Sequence, residues 1–273
     1  MSKRGVDLAR SARPRKRFGQ HFLEPVWVAK VVDAIDPGPD DTFLEIGPGR
    51  GALTRPLARR AGHVVAVEID RDLAAALAGE NIPNLRIIQS DFLELSLETV
   101  LKDERRPLRV AGNLPYNASS PILFALLKAA EGGRFFSDAM LMLQKEVAAR
   151  LVAKPGGKDY GALAIQVALS ADVDHLLTLP PGAFRPPPKV TSAVVRLLFR
   201  KPAIDVGDPR VFERIVRGIF LQRRKTLTNA LRPVAETFGH PAEQLLEQAG
   251  IDGRLRPEAL TLADIARLSR AVL

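Results

Sequence analysis

Thr42-Phe43-Leu44-Glu45-Ile46-Gly47-Pro48-Gly49-Arg50-Gly51 is the stretch that decides the fold. Its first five residues form a short apolar run with β-formers, the reading of a buried strand, and the glycines that follow mark a tight turn. Beyond the turn, a helix is expected from Ala52 to about Ala61, stopped by Gly62. His63 to Ile69 then reads as a second strand, and Asp70 stands where it can cap a helix over Leu73 to Ala78. Leu85-Arg86-Ile87-Ile88 gives a third strand closing on Gln89-Ser90-Asp91-Phe92, and a polar segment of weak helical character leads to a fourth at Leu108 to Gly112. Strand and helix in alternation specify an α/β fold: a Rossmann-like, doubly wound, mainly parallel sheet.

Such sheets bind ligands at the carboxyl ends of their strands, so the residues at those ends carry the functional reading. Glycines let backbone pass close to a ligand, and the following helix offers unpaired amides. The spacing is Gly-x-Gly-x-Gly rather than the Gly-x-Gly-x-x-Gly of a dinucleotide site, which counts against a pyrophosphate ligand. Glu68, closing the second strand, is placed to take both hydroxyls of a ribose. Asp91, after the third, can accept from an adenine amino group. Gly47, Glu68 and Asp91 on one edge indicate a nucleoside-containing cofactor without a diphosphate. After the fourth strand comes Asn113-Leu114-Pro115-Tyr116. An Asn side-chain oxygen and a backbone carbonyl held by Pro can accept from an exocyclic amine while a Tyr ring stacks on a base. Read alone, this corner is an ordinary strand-to-helix turn.

Upstream, Phe18 to Leu23 reads as a loop, and Pro25 opens a helix with Val28, Val31, Val32 and Ile35 on one face, ended by Pro37-Gly38-Pro39. Downstream, a helix over Ser119 to Ala130, a strand over Asp138 to Leu143, a helix carrying Glu146, Val147, Leu151 and Val152, and a helix over Tyr160 to Ala168 are expected. Strands around His175 to Leu179 and Ser192 to Phe199 flank the proline-rich loop Pro180 to Pro188 and suit an antiparallel edge. Beyond Lys201-Pro202 the pattern is helical only, with Pro233 inside one helix. The expected organisation is a basic arm over 1–17, a large domain over 18–202 and a small all-α domain over 203–273.

The 273 residues include no Cys and four scattered His, which excludes disulfides, thiolate sites and Cys nucleophiles and leaves no metal site expected. No apolar run approaches the roughly 20 residues that span a bilayer, and the basic N-terminus lacks a signal-peptide core, so a cytoplasmic location without membrane association is expected. The formal net charge is +9 and gathers at Arg13 to Arg17, at Arg105, Arg106 and Arg109, and at Arg223-Arg224-Lys225. A polyanionic partner, nucleic acid above all, follows from that excess.

Several separated motifs carry a family resemblance. Arg15-Lys16-Arg17-Phe18-Gly19-Gln20-His21-Phe22-Leu23, Asn113-Leu114-Pro115-Tyr116-Asn117, Leu143-Gln144-Lys145-Glu146-Val147, Tyr160-Gly161, Phe184-Arg185-Pro186-Pro187-Pro188-Lys189-Val190-Thr191-Ser192 and Gln222-Arg223-Arg224-Lys225-Thr226-Leu227 resemble those of the small-subunit ribosomal RNA adenine N6-dimethyltransferases. These belong to the class I S-adenosylmethionine-dependent methyltransferases. The resemblance implies methyl transfer from S-adenosylmethionine to N6 of two adjacent adenosines in the 3′-terminal hairpin loop of small-subunit rRNA. It places cofactor contacts at His21, Leu23, Gly47, Glu68, Asp91 and Asn113. His21 stands where the family usually has Asn. Asn113, Leu114, Pro115 and Tyr116 are the expected catalytic corner, with Phe184 for the second face of the base. Arg15, Lys16, Arg17, Arg223, Arg224 and Lys225 are expected on RNA phosphates, and a monomer acting on the small ribosomal subunit or its precursor is expected. The runner-up readings are the large-subunit adenine methyltransferase of the macrolide-resistance type and a non-catalytic assembly or transcription factor on the same fold.

Overall fold

The computed structural model describes residues 21–130 and 135–272. Arg15, Lys16 and Arg17 lie outside the described residues. The chain forms two compact units: the first runs to Ala148 and resumes over Asp172–Arg200, and the second takes Ala149–Ala171 and everything from Lys201 onward.

In the first unit, strands β1 (Phe22–Leu23), β2 (Thr42–Ile46), β3 (His63–Glu68), β4 (Leu85–Gln89), β5 (Leu108–Asn113) and β6 (Phe136–Gln144) alternate with helices α1 (Pro25–Ile35), α2 (Thr54–Arg60), α3 (Arg71–Ala78), the single turn α4 (Leu97–Val100) and α5 (Ser119–Ala130). Helix α6 (Lys145–Leu151) follows, then β7 (Ala171–Leu179), β8 (Phe184–Arg185) and β9 (Ser192–Phe199). Seven strands form one sheet in the order β4-β3-β2-β5-β6-β9-β7. The pairs from β4 to β6 are parallel and β9 runs antiparallel to β6. The order reverses at β2, whose neighbours β3 and β5 lead away in opposite directions. That reversal is the switch point at which an open α/β sheet leaves a crevice.

Register fixes what stands at the crevice. Ile46 pairs with Val67 on one side and Gly112 on the other, so Gly47, Glu68 and Asn113 come level on three adjacent strands. Glu68 pairs with Gln89, which puts Asp91 two residues beyond on the fourth. The central strands are covered on both faces: β2 is buried at all five positions and β3 at five of six. Helix α3 starts as its sequence suggests: the Asp70 carboxylate accepts from Asp72 N and Leu73 N. A small antiparallel ribbon, β1 with β8, pairs Phe22 with Arg185 and Leu23 with Phe184, and ties the segment from residue 21 to the proline-rich loop.

In the middle one of the three basic clusters, Arg109 and Arg106 are structural, while Arg105 is exposed. The Arg109 guanidinium binds Asp138 and Asp41 and donates to the last carbonyls of α1, at Ile35 and Asp36. Those carbonyls have no partner within the helix, so a cation there completes the fold. Arg106 lies over the Phe135 ring and donates to Leu101 O.

The second unit holds α7 (Ala162–Ser170), α8 (Pro209–Leu221), α9 (Leu227–Glu236), α10 (Ala242–Ala249) and α11 (Leu262–Arg270). Pro233 sits inside α9. Tyr160, Ile165 and Leu169 share a core with Phe212, Ile215, Ile219, Leu231 and Ile265, and the Tyr160 hydroxyl donates to Leu260 O at 2.8 Å. An apolar helix far from 203–273 in the chain thus packs with the C-terminal helices. The linear change of pattern at residue 202 gives no hint of this, because the chain enters that unit twice. Among the described residues no helix is long and apolar enough to cross a membrane.

Candidate functional site

A cavity of about 350 Å³ opens at the carboxyl ends of β2, β3, β4 and β5. Gly47, Glu68, Asp91, Asn113, Leu114, Pro115, Tyr116, His21 and Leu23 all line it. One side is the strand edge. Gly47 N donates to Val67 O at 2.9 Å with φ +70°, a left-handed conformation that glycine adopts without strain. Gly49 also has positive φ, and a Cβ there would meet the Phe22 ring at 3.3 Å, so glycine lets that ring close over the turn. The Glu68 carboxylate accepts from Gly49 N and Asp70 N, each at 2.9 Å. Both oxygens are thus held by backbone N–H groups at the cavity wall, where a carboxylate oxygen can accept more than one hydrogen bond. Burial pushes the Glu68 carboxyl up, against the pull of those N–H groups. Asp91 caps the turn Phe92–Glu94 by accepting from Leu93 N through Oδ1.

Glu45, at the cavity wall, is 1 % exposed, and burial pushes its carboxyl up to about 8, with the Glu68 carboxylate adding to the shift. It therefore holds its proton at neutral pH.

The other side is the corner after β5. Asn113 donates through Nδ2 to the His21 carbonyl at 2.7 Å, which leaves Oδ1 as the amide's acceptor. Leu114 is buried, with its N–H donating to Met142 O. Pro115 O accepts from Ala118 N and Tyr116 O from Ser119 Oγ, closing the turn into α5. The Tyr116 hydroxyl hydrogen-bonds Ser192 Oγ at 2.7 Å, and burial raises its pKa, so the phenol stays neutral. The His21 ring stacks on Tyr116 with centroids 5.4 Å apart, and its Nδ1 meets Pro186 O at 2.7 Å. A carbonyl only accepts, so Nδ1 carries the hydrogen.

Phe184 is a correction. It is fully buried in the core with Leu23, Leu179 and Ala183 and does not line the cavity, so its ring offers no face to a base. Its pairing with Leu23 in the ribbon turns it inward. The sequence reasoning also missed apolar walls at Ile69, Phe92 and Leu93. Their signal was present: an apolar residue directly after each acidic strand end, with Ile69 41 % exposed. In the second unit, Arg223 is bound to Glu258 and to Lys158 O, while Arg224 and Lys225 are exposed.

Strand order, acidic strand ends and an Asn-Leu-Pro-Tyr corner on one crevice together define a class I methyltransferase. The family model for ribosomal RNA adenine dimethylase matches residues 11–272, and the chain belongs to that family. It is 47 % identical over 264 residues to the ribosomal RNA small subunit methyltransferase A of Nitrosococcus oceani, covering 94 % of this chain and 96 % of the relative. Against the protein of the same name from Pseudomonas savastanoi the figures are 46 % over 261 residues and 94 % of each chain. Among solved structures, a dimethyladenosine transferase from Plasmodium falciparum superposes with a TM-score of 0.71 at 25 % identity, covering 91 % of this chain and 96 % of that one.

Proposed function

We propose that this protein transfers methyl groups from S-adenosylmethionine to N6 of two adjacent adenosines in the 3′-terminal hairpin loop of small-subunit rRNA. Each adenosine is dimethylated, and the protein works as a monomer on the small subunit or its precursor. The observation that carries the reading is the free acceptor of Asn113 beside the Tyr116 ring, in the same cavity as Glu68 and Asp91.

The lining suits the cofactor. Among the described residues it includes Glu68 and Asp91 and no lysine or arginine, which fits a cationic nucleoside and not a phosphate-bearing one. Glu68 would hold the ribose hydroxyls and Asp91 the adenine amino group, with Ile69 and Phe92 as apolar walls. When bound, S-adenosylmethionine supplies a methyl group on a positively charged sulfur, taken up by the substrate nitrogen without a covalent enzyme intermediate.

The difficulty lies in the nucleophile, because the N6 lone pair is delocalised into the adenine ring. Asn113 Oδ1 and the Leu114 carbonyl accept from the N6 hydrogens and favour a pyramidal, more nucleophilic nitrogen. Tyr116 stacks on the looped-out base and fixes its orientation. The nitrogen becomes acidic on methylation, so its proton passes to solvent without a dedicated strong base. For the second transfer the monomethylated amine donates one hydrogen bond, and stacking carries more of the positioning. Arg15, Lys16 and Arg17, with Arg224 and Lys225, would meet phosphates and set register rather than base identity.

Primer extension on both rRNAs after incubation with unmodified ribosomal subunits tests the reading. Stops at two adjacent adenosines near the small-subunit 3′ end support it, whereas stops in the large-subunit rRNA would transfer the site to the macrolide-resistance type of reaction.

A further inference from the structure

Ser192 closes the motif that runs from Phe184 and opens β9, yet it does not line the cavity. It is fully buried, and among the described residues the Tyr116 hydroxyl, 2.7 Å from its Oγ, is the partner of its side chain. A hydroxyl gains nothing from an apolar core, so a buried one is stable only with its hydrogen bond made. Register sets it there. Ser192 pairs with Gln144 at the end of β6, and Lys145 N donates to Thr191 O at 3.0 Å just beyond. In the sheet β6 lies between β9 and β5, and Asn113 of β5 pairs with Met142 of β6. Tyr116 therefore reaches across the end of β6 to a residue that the sheet holds in place.

The phenol ring is consequently held at both ends. Its backbone is fixed by the turn into α5, where Ser119 Oγ donates to Tyr116 O and Ala118 N to Pro115 O. Its tip is fixed by Ser192. Between the two holds lie only side-chain torsions, and with the tip released the ring is free to turn among their wells. Orientation is costly to lose in a reacting pair, where a misplacement of about 1 Å can lower a rate about 10²-fold.

We propose that Ser192 is a positioning residue for the methyl transfer: its hydroxyl tethers the Tyr116 ring in the plane on which the target adenine stacks. This rests on the reading of the corner as an adenine N6 site. Ser192 touches neither cofactor nor base and acts only through Tyr116. Its effect is largest on the second transfer, because the monomethylated amine has lost one hydrogen bond and depends more on the ring.

The test is transfer of labelled methyl groups from S-adenosylmethionine to purified unmodified small subunits by the full-length protein, with mono- and dimethylated adenosine separated as nucleosides. Ser192→Ala is compared with Tyr116→Phe, which breaks the same hydrogen bond without altering β9 and keeps the stacking face, with the double variant and with Tyr116→Ala. Thermal melts establish folding. The expected result is a fall in kcat of about tenfold in Ser192→Ala and in Tyr116→Phe, no further fall in the double variant, and a larger fall in Tyr116→Ala. KM for S-adenosylmethionine should stay at the wild-type value in Ser192→Ala. At equal total methyl transfer, both single variants should accumulate monomethylated adenosine, a ratio that a smaller folded fraction leaves unchanged. An impaired Tyr116→Ala beside a Ser192→Ala with wild-type turnover or wild-type product ratio would overturn the tether and leave the adenine site standing. Losses that multiply in the double variant would show two independent roles and equally overturn it. Wild-type turnover by Tyr116→Ala would overturn the stacking reading of the corner and the tether together.

Discussion

The two sides of the cavity are built differently. The strand edge of Gly47, Glu68 and Asp91 is local: each residue ends or follows a strand, and its partners lie within a turn or on the neighbouring strand, as when Glu68 accepts from Gly49 N and Asp70 N. The corner is assembled at long range. His21, Asn113, Tyr116, Pro186 and Ser192 come from four stretches of the chain and meet through hydrogen bonds spanning 76 to 165 positions. An edge made by strand register can be read from a sequence and tolerates change beside it. A corner made by distant tethers is specified only by the folded chain, so single substitutions there are expected to change chemistry more than stability.

The largest expected effect is at the corner. Asn113→Ala removes the acceptor proposed for the N6 hydrogen and should lower kcat about 10³-fold, as with loss of a group that acts on the developing charge. Its melting curve should stay close to wild type, and single-turnover methylation with calorimetry checks both. Retained turnover would erase the distinction between the two sides.

Next comes a stability effect at the edge. The Glu45 carboxyl is raised from its ordinary 4.5 to about 8, chiefly by burial, so the folded state keeps a proton that the unfolded chain releases. Stability is therefore fully present below about pH 4.5 and declines as pH rises towards 8. The loss is on the order of 5 kcal/mol over that window. Glu68, also raised by burial, adds in the same direction. Denaturant titrations of Glu45→Gln should show a much flatter pH dependence, since the amide cannot ionise.

Glu68→Gln should weaken S-adenosylmethionine binding about tenfold to a hundredfold, the cost of a hydrogen bond to a charged acceptor. RNA affinity should hardly move, and isothermal titration separates the two. The smallest effect belongs to the second unit. Replacing the exposed Arg224 and Lys225 by neutral residues should reduce the salt slope of RNA binding by about one per charge. Arg223, already paired with Glu258, should contribute less.

Much of the fold is legible in the chain because periodicity and punctuation agree. Asp70 caps where it stands, the helix Ser119–Ala130 has its expected bounds, and alternating strands and helices leave few topologies. The acidic strand ends were legible for the same reason. What the chain hides is tertiary. Arg109 looks like part of a basic patch and is instead the partner of two aspartates and a helix end. Phe184 sits in a motif that suggests a ring on the substrate and is turned into the core by its pairing with Leu23. The helix Ala162–Ser170 precedes the last strands of the sheet yet joins the core of the C-terminal helices, since apolar periodicity says how much a helix buries and not against what.

The measurement that tests the central claim most directly is transfer of labelled methyl groups to purified unmodified small subunits by wild type and Asn113→Ala, followed by digestion to nucleosides. Label in N6,N6-dimethyladenosine with the wild type, and a loss of about 10³-fold in the variant, is the predicted result. Label in any other nucleoside, or a variant that methylates at the wild-type rate, would contradict it.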